Sequence, residues 1–265
     1  MVLGMSSAAF YARMNTEDAA GHLRQFTVDT CEVFLETFRE YNQSFGKTVR
    51  EHLGALECIS VHPKGTQFES DLFASYARQR EDALHIFEGV CAAGEALGAS
   101  FYVLHGPPGF KSRLRPEKIR YLPVVFPEMQ KVAADHGIEI LWENVSWCAC
   151  NEPEDVGTLL DMFPDQRFVL DIKQALHAGV DPFLMAEAMG EHLAHVHVLD
   201  WDAEGNLLLP GEGVFSFERL GAWLQEINYQ GAVILEPYNH MTVDEKRLEQ
   251  SLMYLRNMIA HPQWT

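Results

Sequence analysis

Short apolar segments alternate with longer amphipathic segments along the whole chain, and this alternation constrains the fold more than any other feature. Continuous apolar runs indicate strands that are buried on both faces, as in a parallel sheet covered by helices. We predict eight strands, at residues 2–6, 30–36, 56–61, 101–104, 138–143, 167–171, 193–198 and 232–236. The chain of 265 residues has room for eight strand–helix units, so we expect an α/β fold, a single (β/α)8 TIM barrel domain over residues 1–265.

The helices between these strands carry start and stop signals. One long amphipathic helix is predicted over residues 70–97, and Gly98 should end it. Another should begin near Pro116, break at Pro123 and Pro127 and resume over residues 129–135, because proline disrupts a helix interior. The other predicted helices begin near Thr16 or cover residues 42–53, 152–162, 182–189, 215–227 and 243–258, with a long loop at 200–213.

The charge and cysteine content restrict partners and location. The chain has 20 Lys and Arg against 38 Asp and Glu, a formal net charge of −18. Such a chain repels a phosphate backbone, so no nucleic acid partner is expected. No apolar run reaches the roughly 18 residues of a membrane span, so no membrane partner is expected either. The five cysteines are an odd number and four lie in apolar or strand-like segments, which favours reduced, mostly buried thiols and a cytoplasmic location. A homo-oligomer is compatible with the sequence.

Residues that commonly bind metals stand where the predicted strands end. Glu143, Asp171, His197 and Glu236 end four consecutive strands, and the active site of a TIM barrel lies at these carboxyl ends. Three carboxylates and one imidazole suit one divalent ion such as Mn²⁺, Mg²⁺, Co²⁺ or Zn²⁺. Two earlier strands are followed by histidines of the same kind, His62 and His105.

Other roles for these residues are open. Asp171 could pair mainly with Lys173, which shares its strand face. His62 and His105 could contact substrate, hold a second metal ion or be structural. His195 lies one layer below His197 and is expected to be a hydrogen-bonded core histidine.

The residues at the strand ends resemble the xylose isomerase-like TIM barrel superfamily, which includes sugar phosphate isomerases and epimerases and endonuclease IV (AP endonuclease family 2). The resemblance covers essentially the whole chain. It implies that Glu143, Asp171, His197 and Glu236 hold a catalytic divalent metal, with both glutamates also acting as acid or base. Its motifs are Val61-His62-Pro63, Leu104-His105-Gly106, Trp142-Glu143-Asn144, Leu170-Asp171, the stretch from His195 to Asp200, Pro210-Gly211-Glu212-Gly213 and Leu235-Glu236-Pro237.

Two departures from the endonuclease pattern bear on function. The histidine expected three residues after the acid of strand six is Gln174 here, and the Asp-x-His of the next loop is absent around Leu207 and Leu208. The ligands of that branch's third metal are therefore missing. Together with the acidic charge, this argues against DNA cleavage.

We therefore interpret the chain as a metal-dependent isomerase or epimerase of a small sugar or sugar-like polyol or ketose. Glu143 and Glu236 would move a proton on the carbon next to a carbonyl. Nearby aromatic residues could line the site, among them Phe110, Trp147 and Tyr238. The expected substrate-binding residues are His62, His105, Lys173, Gln174 and Trp142.

Three alternatives stay open at this point. The chain could be an endonuclease IV-like DNA-repair hydrolase, an aldolase or lyase that uses Lys173 as a Schiff base, or a non-catalytic binding barrel. The sequence does not identify the substrate or the native metal, nor does it fix whether one or two ions bind or whether a proton or a hydride is transferred. A phosphate on the substrate could be bound by Lys64, Lys111, Arg113 and Arg115.

Overall fold

Eight parallel strands close into a barrel in this computed structural model, which describes residues 1–65, 68–108 and 120–260. The strands are β1 (Val2–Ser6), β2 (Thr30–Leu35), β3 (Glu57–Pro63), β4 (Phe101–Leu104), β5 (Glu139–Glu143), β6 (Arg167–Asp171), β7 (Leu193–Val198), β8 (Asp200–Trp201), β9 (Leu207–Leu208) and β10 (Ala232–Leu235). All except β8 and β9 belong to the barrel, whose spatial order is β1–β10–β7–β6–β5–β4–β3–β2. The predicted TIM barrel is confirmed.

Helices separate the barrel strands, as the alternating pattern predicts. They are α1 (Thr16–Leu23), α2 (Gln43–Leu53), α3 (Glu69–Leu72), α4 (Ala77–Leu97), α5 (Leu122–Asp135), α6 (Pro153–Met162), α7 (Ile172–Ala178), α8 (Pro182–Met189), α9 (Phe217–Glu226) and α10 (Glu245–Ala260). Among the described helices, none is both long and apolar enough to cross a lipid bilayer.

The helix predicted over residues 70–97 is wrong in its first part, because two helices stand there. The short α3 ends at Leu72, and α4 begins only at Ala77. Between them, the Arg80 guanidinium donates to the carbonyls of Ala74 and Ser75, which satisfies backbone groups outside any helix. Gly98 ends α4 in the left-handed conformation, as predicted.

The predicted break at Pro123 and Pro127 is also wrong, since α5 runs without interruption from Leu122. Pro123 lies in the first turn of α5, where a backbone N–H would have no acceptor within the helix, so proline loses no hydrogen bond there. Pro127 stands one turn later, and buried neighbours such as Phe126 and Met129 anchor the helix against the barrel. The predicted start at Pro116 lies outside the described residues.

The interior of the barrel is layered, and this layering positions the site. Its apolar floor is formed by Val103, Leu141, Val169 and Ala194, with Phe101 packed against them. Several other inward positions on the strands are polar and buried, namely Glu32, Ser60, His62, His195 and His197. A barrel interior of this size is a packed core rather than a pore, so polar groups placed there must find partners within it.

The loop after β7 is organised by Asp200. Its carboxylate accepts hydrogen bonds from the backbone N–H groups of Trp201, Gly211, Gly213 and Phe215, at 2.8 to 3.1 Å. A Cβ on Gly213 would lie 2.4 Å from the Asp200 Oδ1, so only glycine fits there. In this loop β8 and β9 form a small antiparallel hairpin, which we did not predict from the sequence.

Candidate active site

Four strand ends bring their side chains together at the mouth of the barrel. Glu143 and Asp171 are the last residues of β5 and β6, His197 is the penultimate residue of β7, and Glu236 follows β10. One potential ligand atom from each residue lies within 4.8 Å of the other three. The four positions that the sequence predicts as a metal site are therefore adjacent in space. We call Glu143, Asp171, His197 and Glu236 the four-residue group.

Asp171 shows that this group fits a cation. Asp171 Oδ1 accepts a hydrogen bond from the Gln174 N–H at 2.9 Å and so caps α7. The Asn144 side chain bonds to both backbone groups of Asp171, at 2.8 and 2.9 Å, and fixes its position. The other carboxylate oxygen, Oδ2, is buried, accepts no hydrogen bond within the described part of the chain and has the Lys173 ammonium 3.3 Å away. This oxygen, two more carboxylates and an imidazole form the donor set that a divalent ion prefers, and the ammonium beside them shows that the group attracts a cation.

Lys173 lies against the same carboxylates. Its Nζ is 3.0 Å from Glu236 Oε2 and 3.3 Å from Asp171 Oδ2, and its side chain is 7% exposed. Burial alone would lower the pKa of Lys173, but Asp171 and Glu236 outweigh burial and raise it well above its usual value. A charged ammonium is not a nucleophile, so this environment argues against a Schiff base at Lys173. Burial raises the pKa of Asp171 to about 6, although Lys173 opposes this shift.

Three histidines surround Glu143. His197 Nδ1 lies 3.0 Å from Glu143 Oε1, while His105 Nε2 and His62 Nε2 lie 3.3 and 3.6 Å from Oε2. Burial opposes ionisation of Glu143, but the contacts with His197 and His62 prevail and lower its pKa well below the usual range. The pKa of His62 rises to about 9, because contacts with Glu143 and Glu32 outweigh the effect of burial. His62, His105 and Glu143 form a second group whose ligand atoms lie within 4.8 Å of one another.

Two buried glutamates that we did not identify from the sequence support these histidines. Glu32, on β2, lies 3.1 Å from His197 Nε2 and 3.4 Å from His195 Nε2. Glu69, on α3, accepts hydrogen bonds from the Tyr102 hydroxyl at 2.8 Å and from the backbone N–H of His105 at 3.2 Å. The only signal for Glu32 is a lone acid inside an apolar strand, and Glu69 stands immediately before the helix predicted over residues 70–97. His195 is fully buried and in contact with Glu32, which agrees with the predicted core role.

The predicted contact between Trp142 and substrate is corrected. Trp142 precedes Glu143 on β5, so its side chain points to the opposite face of the sheet. It is completely buried, and its ring packs against Phe73 and Phe126 with centroid distances of 6.3 and 5.4 Å. Trp142 therefore belongs to the core between the barrel and its helices.

Other predicted residues lie around the mouth. Gln174 Oε1 accepts hydrogen bonds from the backbone N–H and the hydroxyl of Ser146, so Gln174 ties α7 to the loop after β5. The Trp147 ring lies 5.6 Å from the His105 ring and is 38% exposed. Tyr238 is 43% exposed and lies under the Lys173 ammonium. Phe110, Lys111, Arg113 and Arg115 lie outside the described residues.

A cavity of about 210 Å³ opens beside Glu236 and Lys173. The rings of Tyr11, Phe34 and Tyr238 line it, together with the Lys64 side chain. Lys64 donates a hydrogen bond to the Tyr11 hydroxyl at 2.7 Å. The cavity combines apolar rings with two ammonium groups at the edge of the four-residue group.

The chain belongs to the family described as the xylose isomerase-like TIM barrel, whose model matches residues 22–258. The family was expected from the strand-end motifs, and this match confirms it.

Two curated relatives share shorter segments with the chain. A D-psicose 3-epimerase from Enterocloster bolteae is 37% identical over 65 residues, which cover 23% of this chain and 20% of that protein. An inosose dehydratase from Clostridium beijerinckii is 22% identical over 129 residues, which cover 41% of this chain and 43% of that protein. The matched segments thus span less than half the length of either relative.

Solved structures share the fold over almost the entire chain. A D-tagatose 3-epimerase-like protein superposes with a TM-score of 0.77 and 20% identity, and the match covers 98% of this chain and 100% of that one. A crystal structure of the IOLI protein with a bound zinc atom superposes with a TM-score of 0.72 and 17% identity, covering 99% and 98% of the two chains. At these identities the similarity establishes the fold.

Proposed function

We propose that this protein is a divalent-metal-dependent epimerase or isomerase of a small sugar or sugar-like polyol or ketose. The observation that carries the proposal is the placement of two carboxylates, Glu143 and Glu236, in one group with Asp171 and His197 at the barrel mouth. Reactions that move a proton beside a carbonyl need both an acid or base and a group that stabilises the negative charge on oxygen. This group of residues can supply both.

Glu143, Asp171, His197 and Glu236 would hold the ion. A divalent ion held there would supply Lewis-acid chemistry, which makes the carbon next to a substrate carbonyl more acidic. The three-carboxylate donor set, which already attracts the Lys173 ammonium, supports this assignment. Three residues are proposed to hold a second ion in the same mouth: His62, His105 and Glu143.

The side chains of the two glutamates differ in exposure and in the number of their contacts, and this difference suggests that they act on different sides of the substrate. Glu143 is fixed by three imidazoles and its side chain is 3% exposed. Glu236 is 14% exposed and has Lys173 as its nearest charged partner, at 3.0 Å. We assign Glu236 to the more accessible side of the substrate, with Glu143 held on the other side. One glutamate removes the proton and the other returns it.

The remaining polar groups of the mouth would orient the substrate. His62, His105 and Lys173 present N–H donors that suit hydroxyl and carbonyl oxygens. The exposed rings of Trp147 and Tyr238 offer apolar surfaces for the C–H face of a sugar. Gln174 is also proposed as a substrate ligand, alongside its bonds to Ser146.

The relatives support the substrate class, since one is named as an epimerase of a ketose and the other as a dehydratase of an inosose. The family also contains DNA-repair enzymes, but the net charge of −18 and Gln174 in place of a metal-binding histidine disfavour that function. The pair of ionisable glutamates disfavours a purely binding role.

Deuterium incorporation tests the proposal. The protein, loaded with Mn²⁺ or Co²⁺, is incubated with a panel of ketoses in D2O, and the products are analysed by NMR and mass spectrometry. We expect solvent deuterium at the carbon beside the carbonyl of at least one ketose. Glu143→Gln and Glu236→Gln should each slow turnover by about 100-fold or more, the scale of general acid–base catalysis. Glu226→Gln, at the exposed end of α9, is the matched control and should leave turnover unchanged. A product formed without solvent deuterium would indicate hydride transfer and contradict the assigned role of the glutamates.

A further inference from the structure

We propose that Glu32 is a positioning residue, which holds His197 so that its Nδ1 faces Glu143, Asp171 and Glu236. This inference rests on the ion site of the proposed function. It concerns a residue one layer below that site, inside the barrel, which would touch neither ion nor substrate.

The contact between Glu32 and His197 crosses the barrel. β2 and β7 are not neighbours in the sheet, because β1 and β10 separate them. Glu32 Oε2 nevertheless lies 3.1 Å from His197 Nε2, while Nδ1 on the other side of the same ring lies 3.0 Å from Glu143 Oε1. Both Glu32 and His197 are completely buried, so water does not compete for either nitrogen.

This arrangement determines which nitrogen can bind a metal. An ionised carboxylate only accepts hydrogen bonds, so the Nε2 beside Glu32 must carry a hydrogen. Nδ1 faces Glu143 at 3.0 Å and so also carries a hydrogen in the ion-free protein. An ion held by the four-residue group would take the place of that hydrogen at Nδ1, while Glu32 keeps the hydrogen on Nε2. A carboxylate behind a metal-binding histidine fixes the tautomer and the ring orientation and makes the imidazole a stronger ligand.

Glu32 is itself held in place. Oε2 also accepts a hydrogen bond from the Ser60 hydroxyl at 2.8 Å and lies 3.4 Å from His195 Nε2. Oε1 is buried and accepts no hydrogen bond from the described residues. A completely buried carboxylate with one unsatisfied oxygen is costly for the fold, and an apolar side chain would avoid that cost. The presence of a buried glutamate at position 32 is explained by the orientation that it imposes on the His197 ring.

Ion affinity measures this role without any substrate. Glu32→Ala removes the acceptor, and Glu32→Gln keeps an acceptor oxygen and the shape. We expect Glu32→Ala to weaken Zn²⁺ and Co²⁺ binding by about 10–100-fold, the range for loss of such a partner, and Glu32→Gln to recover most of that loss. Glu226→Gln, an exposed acid at the end of α9, is the control and should leave the ion affinity within about threefold of the original protein.

A spectroscopic measurement keeps the test decisive if Glu32→Ala does not fold. The original protein is labelled with ¹⁵N-histidine and loaded with ¹¹³Cd²⁺, and His197→Ala assigns the signal. We expect the one-bond coupling on Nδ1 of His197, with Nε2 still carrying its hydrogen. Coupling on Nε2, or unchanged affinity in a folded Glu32→Ala, would overturn the role of Glu32 while leaving the proposed function standing. If the unmodified protein binds no divalent ion, the ion site of the proposed function and this inference both fail.

Discussion

Replacing Lys173 with methionine tests how the four-residue group balances its charge. Lys173 Nζ lies 3.0 Å from Glu236 and 3.3 Å from Asp171, in a nearly water-free position. Methionine keeps a similar volume but leaves the two carboxylates without their cation. Breaking a buried ion pair in this way typically costs about 3–5 kcal/mol. In the ion-free protein, a loss of this size should lower the melting temperature by about 6–20 °C.

The same substitution should strengthen ion binding. The ammonium of Lys173 repels an incoming divalent cation and competes for the same carboxylate oxygens. Because the ion-free protein loses more stability than the loaded protein, a thermodynamic cycle requires the affinity to rise. A difference of about 1.4 kcal/mol corresponds to a tenfold gain, and we expect at least that.

Calorimetric unfolding with and without Mn²⁺, together with ion titration, measures both effects. Lys131→Met is the matched control, because it removes an exposed pair with Asp135 and should change stability by no more than about 1 kcal/mol. The reasoning would be refuted if Lys173→Met kept the ion-free stability of the original protein, or bound the ion more weakly.

Three further predictions follow from the site. Asp171→Asn or His197→Ala should remove most of the bound divalent ion, measured by elemental analysis of purified protein. Ion affinity should fall as the pH drops through about 6, because burial raises the pKa of Asp171 to about 6 and protons then compete with the ion at the carboxylate. An ion titration repeated from about pH 8 to about pH 5 measures this, and a constant affinity would contradict it. A duplex with an abasic site should not be cut, and efficient incision that Glu143→Ala abolishes would reverse our choice between the family's branches.

The sequence predicts the barrel well because most barrel strands are short, largely apolar runs between helical segments. A charged residue at the end of such a run is an unusual signal, and it identifies Glu143, Asp171 and Glu236 without any knowledge of their contacts. With His197 included, the spacing of about one strand–helix unit between successive residues then implies that they meet. Trp142 shows where this reasoning was incomplete, since side-chain alternation already places it on the face opposite Glu143.

Other features depend on contacts that no local pattern encodes. Glu32 is one acid inside a strand, and its partners His195 and His197 are more than 160 residues away. Glu69 lies immediately before the segment predicted as one long helix, and only the bonds from Tyr102 and His105 show that it is held over the end of β4. The helix α7 has only seven residues, too few for a periodic signal, and it begins because the Asp171 side chain caps it.

The carboxylate of Asp200 has a consequence for how this barrel can change over evolution. It accepts hydrogen bonds from the backbone immediately after β7 and again from residues 211–215. The turn between these two points is held separately by Asp202, whose carboxylate accepts hydrogen bonds from the N–H groups of Glu204 and Asn206. Insertions or deletions in the exposed tip at residues 203–206 would therefore leave both anchor points, and His197 behind them, where they are. This tip is the place to graft new recognition segments in the laboratory, because its length can vary without disturbing the chemistry below it.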